Sequence, residues 1–342
     1  MIRTGIVGFG FSAQTFHLPF LSVLPDFELV AVVSTQRDAV REALPSAGLY
    51  RSTEEMVRDA GLDLVVITTP NDTHYEFARQ VLQADCHVLL EKPIVVNSGQ
   101  GLDLLRMAKQ QDRILCPYHN RRWDGDFLTV QSLIKSGELG KVKVFESNFD
   151  RYTPQVRARW REQPGDGSGI LYDLGPHLVD QALLLFGMPQ SITARCQAIR
   201  SRSKTTDYFN MMLHYADKEV ILSSSPFRSG IGPRFVVQGD KATFSCKGLD
   251  NQEQQLRDGV TADCSEFGRQ QHQGRLEIGG AFTAKEIELE FGSYNELFAS
   301  LADAILSGGA SPVDPYDAVK VIYALELAQQ SSDAGKTERW AF

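Results

Sequence analysis

Three short stretches of this 342-residue chain carry residue types that could together do chemistry at one hydroxyl group. Glu91-Lys92-Pro93 closes the apolar run Val88-Leu89-Leu90, and an ammonium at the end of such a run can hydrogen-bond a substrate hydroxyl and stabilise alkoxide character as hydride leaves. Asp173-Leu-Gly-Pro-His177 holds a carboxylate and an imidazole four positions apart, a spacing that places both on one helical face. A neutral imidazole can take the hydroxyl proton, while the carboxylate fixes its tautomer or helps bind the substrate; a nearby ammonium opposes premature protonation. The third stretch, Gly8-Phe-Gly10-Phe-Ser-Ala13, follows the apolar Ile6-Val7 and has the spacing of a dinucleotide-binding turn. Lys92, Asp173 and His177 are thus the candidate catalytic residues of a dehydrogenase site split along the chain.

The elements that must position these residues follow from periodicity. Residues 1–118 alternate β-rich runs (Thr4–Val7, Leu29–Val33, Leu64–Thr68, His87–Leu90, Ile114–Pro117) with helical patterns, which predicts an open parallel sheet with helices between the strands. Thr73-x-x-Glu76 reads as a capping box opening a helix that buries Phe77, Val81 and Ala84. Pro70, Asn71 and His74 then lie at a strand's carboxyl end, the edge where ligands bind in open α/β sheets. The rhythm changes after His119-Asn-Arg-Arg-Trp123, which places a boundary near 120, with domains 1–120 and 121–342. A helix near 127–135 and a strand over 142–149 follow. The runs 192–198, 209–215, 219–224, 234–238 and 287–291 predict an antiparallel or mixed sheet, and 248–275 has the little periodicity of a long loop. Two helices close the chain, one over Tyr294–Ile305 ended by Gly308-Gly309 and one opened by Asp314-Pro315. Asp173 and His177 are expected at a helix start, with Pro176 in its first turn.

In the glycine turn, Gly8 permits the tight bend, Gly10 lets backbone approach a pyrophosphate, and Ala13 allows close helix–strand packing, while the helix start offers N–H donors to the anion. The second strand ends at Ser34, 21 residues beyond Ala13. An acidic residue there would bond a ribose diol and repel a 2′-phosphate. The chain instead reads Ser34-Thr35-Gln36-Arg37, and two hydroxyls with a guanidinium suit a phosphate, so NADP(H) is favoured and NAD(H) remains open. Arg37 also reads as a solvated residue opening the next helix, with Asp38 beside it.

Composition narrows the class. An apolar fraction of 42%, a charged fraction of 23% and a net charge of −8 suit a water-soluble enzyme rather than a polyanion binder. The cluster Arg195, Arg200, Arg202, Lys204 reads as a solvated sheet edge rather than a nucleic-acid patch. No stretch approaches the roughly 18 apolar residues a bilayer span needs, and the amino terminus runs directly into a strand, so a cytoplasmic protein without membrane or nucleic-acid partners is expected. The five cysteines are scattered and the seven histidines lack ligand spacing; buried or reduced thiols and no metal are expected.

Taken in order, Gly8–Ala13, Thr69-Pro-Asn-Asp-Thr-His74, Glu91-Lys92-Pro93, Arg121-Arg-Trp123 and Asp173-x-Gly175-x-His177 resemble the glucose–fructose oxidoreductase / inositol dehydrogenase / rhizopine-catabolism (Gfo/Idh/MocA) family over essentially the whole chain. Tyr118–Asp124, Arg159-Trp-Arg161 and Leu171–His177 followed by Asp180-Gln181 look like its NADP-dependent scyllo-inositol dehydrogenase branch. The resemblance implies α/β architecture: an amino-terminal Rossmann domain with a doubly wound parallel sheet, and a carboxyl-terminal α/β domain with an open, mostly antiparallel sheet that often mediates homodimer or homotetramer formation. It implies Lys92, Asp173 and His177 as the catalytic set and adds Pro70, Asn71, His74, Glu91 and Asn120 to Gly8, Gly10, Ala13, Ser34, Thr35 and Arg37 as cofactor-lining residues. Arg159, Trp160 and Arg161, shortly before the catalytic helix, read either as a segment closing over substrate or cofactor or as a solvated loop; Tyr152 and then Asp150 are weaker substrate candidates. The chain departs from NAD-using relatives in lacking the acidic residue after the second strand. The expected reaction is hydride transfer between NADP(H) and a secondary alcohol or ketone of a cyclic polyol, scyllo-inositol and scyllo-inosose first. An aldose or deoxysugar reductase, a glycosidase using tightly held NAD, and a non-catalytic dinucleotide sensor are the competing readings.

Overall fold

The computed structural model describes residues 1–280 and 283–342, which divide into two compact units. The first comprises Met1–Asn120, Gln252–Phe267 and Ser293–Val319; the second comprises Arg121–Asn251, Gly268–Gly292 and Lys320–Phe342. The chain thus leaves the first unit at Asn120 and returns to it twice.

The first unit is built on six strands, β1 (Ile2–Val7), β2 (Phe27–Val33), β3 (Gly48–Tyr50), β4 (Leu64–Ile67), β5 (His87–Leu90) and β6 (Leu115–Pro117), in the order β3-β2-β1-β4-β5-β6. Every neighbouring pair is parallel. Strands covered on both faces need apolar residues throughout, and Leu64–Ile67 is buried at all four positions. The chain runs outward from β1 through β2 to β3 and then returns to β4 on the other side of β1. That reversal leaves a crevice at the carboxyl ends of β1 and β4, where open α/β sheets bind ligands. The intervening helices are α1 (Leu18–Leu21), α2 (Arg37–Ala43), α3 (Thr53–Asp59), α4 (His74–Gln83) and α5 (Ser98–Gln110).

One local expectation fails in this unit. The capping box at α4 does not form, because the Thr73 hydroxyl bonds Thr69 Oγ1 and the Pro70 carbonyl, each at 2.7 Å, while Glu76 pairs with Arg79 at 2.8 Å. A single tight turn, Asn71–Thr73, leads into the helix instead.

The second unit contains α6 (Gly125–Ser136), β7 (Val142–Asn148), α7 (Gly169–Phe186), β8 (Ser191–Gln197), β9 (Tyr208–His214), β10 (Glu219–Ser224), β11 (Pro233–Gly239) and β12 (Ala242–Lys247). After α8 (Gln252–Arg257), which lies in the first unit, come β13 (Gln273–Ile278) and β14 (Thr283–Glu288). The chain ends with α9 (Tyr294–Ser307), α10 (Pro315–Ala334) and β15 (Glu338–Arg339). The nine strands run β14-β13-β12-β11-β7-β10-β9-β8-β15, antiparallel at every junction except β7–β10. The stretch expected as a loop over 248–275 holds α8 and the start of β13, and the last large strand lies at Thr283–Glu288 rather than 287–291. Most of β14 is exposed on both faces, so no apolar alternation marks it.

Phe127, Phe145, Phe209, Phe235, Leu178 and Leu222 belong to the apolar core of this unit, each fully buried. At about 1.5–3 kcal/mol per large side chain, such burial is the main stabilising contribution. Arg234 on β11 is embedded in it, 1% exposed. Its Nη1 donates to Ser147 Oγ at 2.6 Å and its Nη2 to Gln181 Oε1 at 2.8 Å, and its Nε lies 3.4 Å from Asp126 Oδ2. Burial pushes the Asp126 carboxyl up to about 6 against the pull of this guanidinium.

Helix α7 begins at Gly169, so Pro176 lies inside it rather than in its first turn. The missing N–H costs one intrahelical bond, to the carbonyl four residues back. Gly169 itself has φ +81°, and a Cβ there would come within 2.8 Å of the Thr206 carbonyl; the helix entry is pinned by Ile170 N–H donating to that oxygen at 2.6 Å. Among the described residues no helix is long and apolar enough to cross a membrane, and no group of three or more His, Cys, Asp or Glu is placed to hold a metal ion.

Candidate active site

In the first unit, the predicted cofactor residues gather at the carboxyl ends of β1, β2, β4, β5 and β6. Gly8 takes φ +92°, and a Cβ there would press on Thr68 Oγ1 at 2.9 Å, so a side chain is excluded by both conformation and space. Thr68 Oγ1 in turn donates toward the carbonyls of Val7 and Gly8 at 3.2 and 3.1 Å, tying β1 to the end of β4. A Cβ on Gly10 would meet nothing within 4 Å, which is the open face a pyrophosphate needs, and Ala13 is fully buried against the sheet. The helix that follows begins with Gln14 N–H donating to Gly10 O at 3.1 Å and makes a wide π-turn over Ala13–His17. These residues fit a dinucleotide.

At the end of β2, Ser34 Oγ accepts from Gln36 N–H at 2.9 Å, and Thr35 and Arg37 are exposed. The Asp38 carboxylate is engaged by Arg41 at 3.1 Å, so the nearest acidic group carries its own countercharge. Pro70 and Asn71 form the turn after β4, Asn71 being 3% exposed, and Asn120 follows β6 at 4%.

His74 joins two of these strand ends. Its Nδ1 lies 2.8 Å from the Pro93 carbonyl and its Nε2 2.8 Å from that of Thr69. Burial lowers the imidazole below its ordinary value, and the two carbonyl contacts oppose that. The Lys92–Pro93 peptide is cis.

Glu91 is the electrostatic centre of this edge. Its Oε1 accepts from Ser12 Oγ and lies 3.0 Å from His17 Nε2, and its Oε2 accepts from the Lys92 backbone N–H at 3.1 Å. Burial alone would raise its carboxyl, but the His17 bond and charge, the Lys92 charge and the Ser12 bond prevail and hold it down at about 2. Ser12 and His17 are functional neighbours of this edge that the sequence pattern does not mark. No periodic signal marks them, since their partner lies 79 and 74 positions away. The carboxylate fixes the backbone from which the half-buried Lys92 projects.

The lowered Glu91 value makes a pH prediction. Between about pH 2 and the ordinary 4.5 the unfolded chain binds the proton more readily, so stability rises with pH through that window and is lost as pH falls through it. The contribution is about 3 kcal/mol at neutral pH. Glu91→Gln is expected to forfeit about that much at pH 7 while approaching wild type near pH 2. Urea unfolding across pH 2–7 measures this, and equal slopes in the two proteins would refute the assignment.

In the second unit, α7 carries Asp173 and His177 on one face, as the spacing predicts. His177 is 5% exposed and stacks on Phe149, with ring centroids 6.4 Å apart and planes 24° from parallel. Asp173 Oδ1 lies 3.4 Å from Arg161 Nε. Of the predicted substrate segment, Trp160 and Arg161 lie together, the guanidinium 4.5 Å over the indole. Arg159 is instead turned to Glu162 at 2.7 Å, and Tyr152 is 63% exposed and bridged to Phe227. Asp150 is spent on structure, accepting from Ser225 N–H at 2.8 Å and Arg228 Nε at 3.1 Å.

The basic cluster near 200 is not a uniformly solvated edge. Arg200 is 7% exposed and paired with Asp207 at 3.0 Å and Glu162 at 3.1 Å. A basic run carries no mark of the acidic partners that bury one of its members, Glu162 from 38 positions away and Asp207 from across the following turn.

Comparison with known proteins agrees with this geometry. Residues 2–119 match the model of an oxidoreductase family's NAD-binding Rossmann fold, and residues 131–339 match that of the same family's C-terminal alpha/beta domain. An uncharacterized oxidoreductase of Escherichia coli (strain K12), YdgJ, is 39% identical over 97% of this chain and 96% of its own length. The scyllo-inositol 2-dehydrogenase (NADP(+)) IolW of Bacillus subtilis (strain 168) is 36% identical over 98% of this chain and 95% of its own. Among solved structures, the Bacillus subtilis oxidoreductase YvaA superposes with a TM-score of 0.96 at 35% identity, covering 100% of this chain and 99% of that one. With both family models matched in sequence and a dinucleotide turn followed by a lysine-bearing strand end, the chain belongs to the Gfo/Idh/MocA oxidoreductase family.

Proposed function

We propose that the protein transfers hydride between NADP(H) and a secondary alcohol or ketone of a cyclic polyol, with scyllo-inositol and scyllo-inosose as the first pair to try. The observation that carries this reading is Lys92 at the carboxyl edge of the parallel sheet, beside a carboxylate locked by Ser12 and His17. The nicotinamide supplies the hydride acceptor. Lys92 donates to the substrate oxygen, His177 takes the hydroxyl proton, and Asp173 orients the imidazole or bonds a neighbouring hydroxyl. The substrate leaves as a ketone, and the balance is one hydride on the nicotinamide and one proton released through His177. The relative named as an NADP-dependent scyllo-inositol dehydrogenase supports the substrate and the cofactor.

The preference for NADP rests on Ser34, Thr35 and Arg37. Arg37→Ala is expected to raise KM for NADP roughly 10- to 100-fold, as for loss of one hydrogen bond to a charged group, and to leave KM for NAD within about twofold. The assay is reduced-nicotinamide absorbance with NADP and NAD in parallel against inositol isomers and simple aldoses. Turnover of aldoses alone would move the assignment to a sugar reductase. Nucleotide binding without turnover of any substrate would favour a dinucleotide sensor. One face of the nine-stranded sheet packs on α7, while alternate residues of β9 and β10 on the other stay half-buried. This second face is the surface on which a homodimer or homotetramer would form. We place the enzyme in the cytoplasm.

A further inference from the structure

The 151–168 segment is folded around one buried carboxylate. Glu162, 5% exposed, accepts from Arg157 N–H at 2.8 Å and Arg159 Nε at 2.7 Å, and Arg200 Nη2 lies 3.1 Å from it. Burial works against this carboxylate's charge, but the three donors hold it below its usual range. Arg200 ties the segment to the connection between β8 and β9. Its Nη1 donates to the carbonyls of Thr153 and Gln155 at 3.3 and 3.1 Å, and its Nε donates to Asp207 Oδ2 at 3.0 Å. Asp207, 2% exposed, also accepts Ile199 N–H at 2.7 Å, so its lone pairs lock the connection on itself.

The same connection holds the start of the catalytic helix, through Ile170 N–H donating to Thr206 O at 2.6 Å. The segment that carries Arg161 and the helix that carries Asp173 are therefore anchored to one ten-residue stretch, the first at Arg200 and the second at Thr206. Between them, Arg161 Nε and Asp173 Oδ1 form an ion pair at 3.4 Å. A carboxylate only accepts and a guanidinium only donates. Side by side, they match two neighbouring oxygens of a substrate, one presenting its O–H and the other a lone pair.

We propose that Arg161 and Asp173 together read a vicinal diol, or the α-hydroxyketone formed from it, and that Arg200, Glu162 and Asp207 are positioning residues that set this reader. This rests on the polyol dehydrogenase reading and narrows it: adjacent oxygens are required. Arg200 and Glu162 touch no reacting atom in this scheme and act through Arg161.

The test compares wild type with R200A and the milder E162Q, on a cyclic vicinal polyol (scyllo- or myo-inositol) and on cyclohexanol, which has one oxygen. R200A is expected to raise KM for the polyol roughly 10- to 100-fold, the worth of a hydrogen bond to a charged group, with kcat and KM for NADP within about threefold. E162Q should shift the polyol KM in the same direction by less, R200K should recover part of the loss, and the poor turnover of cyclohexanol should not change. Parallel loss on both alcohols, or a fall in kcat alone, would mean that the knot supports the fold generally and would overturn the proposal. Hydrogen exchange supplies a readout independent of turnover: R200A should speed exchange across 151–168 and at the start of α7 while β1, β4 and β5 keep their protection. Unchanged exchange there overturns the anchor whatever the substrate. If wild type oxidises no polyol, the functional reading fails and the diol reader with it, and the exchange result alone then decides the anchor.

Discussion

His177→Ala is expected to lower kcat by roughly 10²–10⁴-fold, the usual worth of a positioned general base, while KM for NADP stays within about twofold. The imidazole is 5% exposed, stacked on Phe149, and carried by an 18-residue helix whose entry is pinned at Ile170, so packing within its own unit holds the ring. Removing the ring leaves helix and sheet in place and takes away the proton acceptor. The loss should therefore shrink at high pH, where hydroxide replaces the missing base, and nucleotide binding measured by fluorescence titration should be unaffected. A variant with wild-type kcat would remove His177 from the chemistry. Loss of nucleotide affinity matching the loss of rate would assign it to binding instead.

Lys92→Ala is expected to cost about 10²–10³-fold in kcat, the effect of deleting one preorganised donor to a developing oxyanion. The loss should fall on kcat and kcat/KM together, because the ammonium bonds alkoxide character present only in the transition state. Lys92→Arg should recover little, since a planar fork does not replace a compact point charge. The adjacent Glu91 carboxylate keeps its Ser12 and His17 partners in either variant and loses only the Lys92 charge in Lys92→Ala, so stability should fall by less than in Glu91→Gln. The double variant of Lys92 and His177 offers a check on whether the two units act in one reaction. Groups that act as a unit are non-additive, so the double variant should lose little more than His177→Ala alone. Independent, multiplying losses would mean that the two residues serve different steps.

Much of the framework was legible in the chain itself, for a local reason. Strands buried on both faces must be apolar throughout, tight turns with positive φ demand glycine, and residues four apart on a helix share a face. Hence β1, β4 and β5, the turn at Gly8 and the Asp173–His177 pair follow from composition and spacing over a few residues. Gly308, with φ +74°, ends α9 where the glycine pair predicts. Even here a local signal can fail: the Thr73 hydroxyl turns to Thr69 Oγ1 and the Pro70 carbonyl, and the box does not form.

Where charged side chains find partners follows from the folded chain and not from local pattern. Glu91 meets Ser12 and His17, Arg200 joins Glu162 to Asp207, and Arg234 enters an apolar core beside Asp126. A buried charge is tolerated only when groups from other segments neutralise and hydrogen-bond it. Most of those groups lie tens of positions away, beyond the reach of periodicity, so local pattern was enough for the scaffold and the residue types that could do chemistry, while long-range pairing settled which charges became buried and fixed.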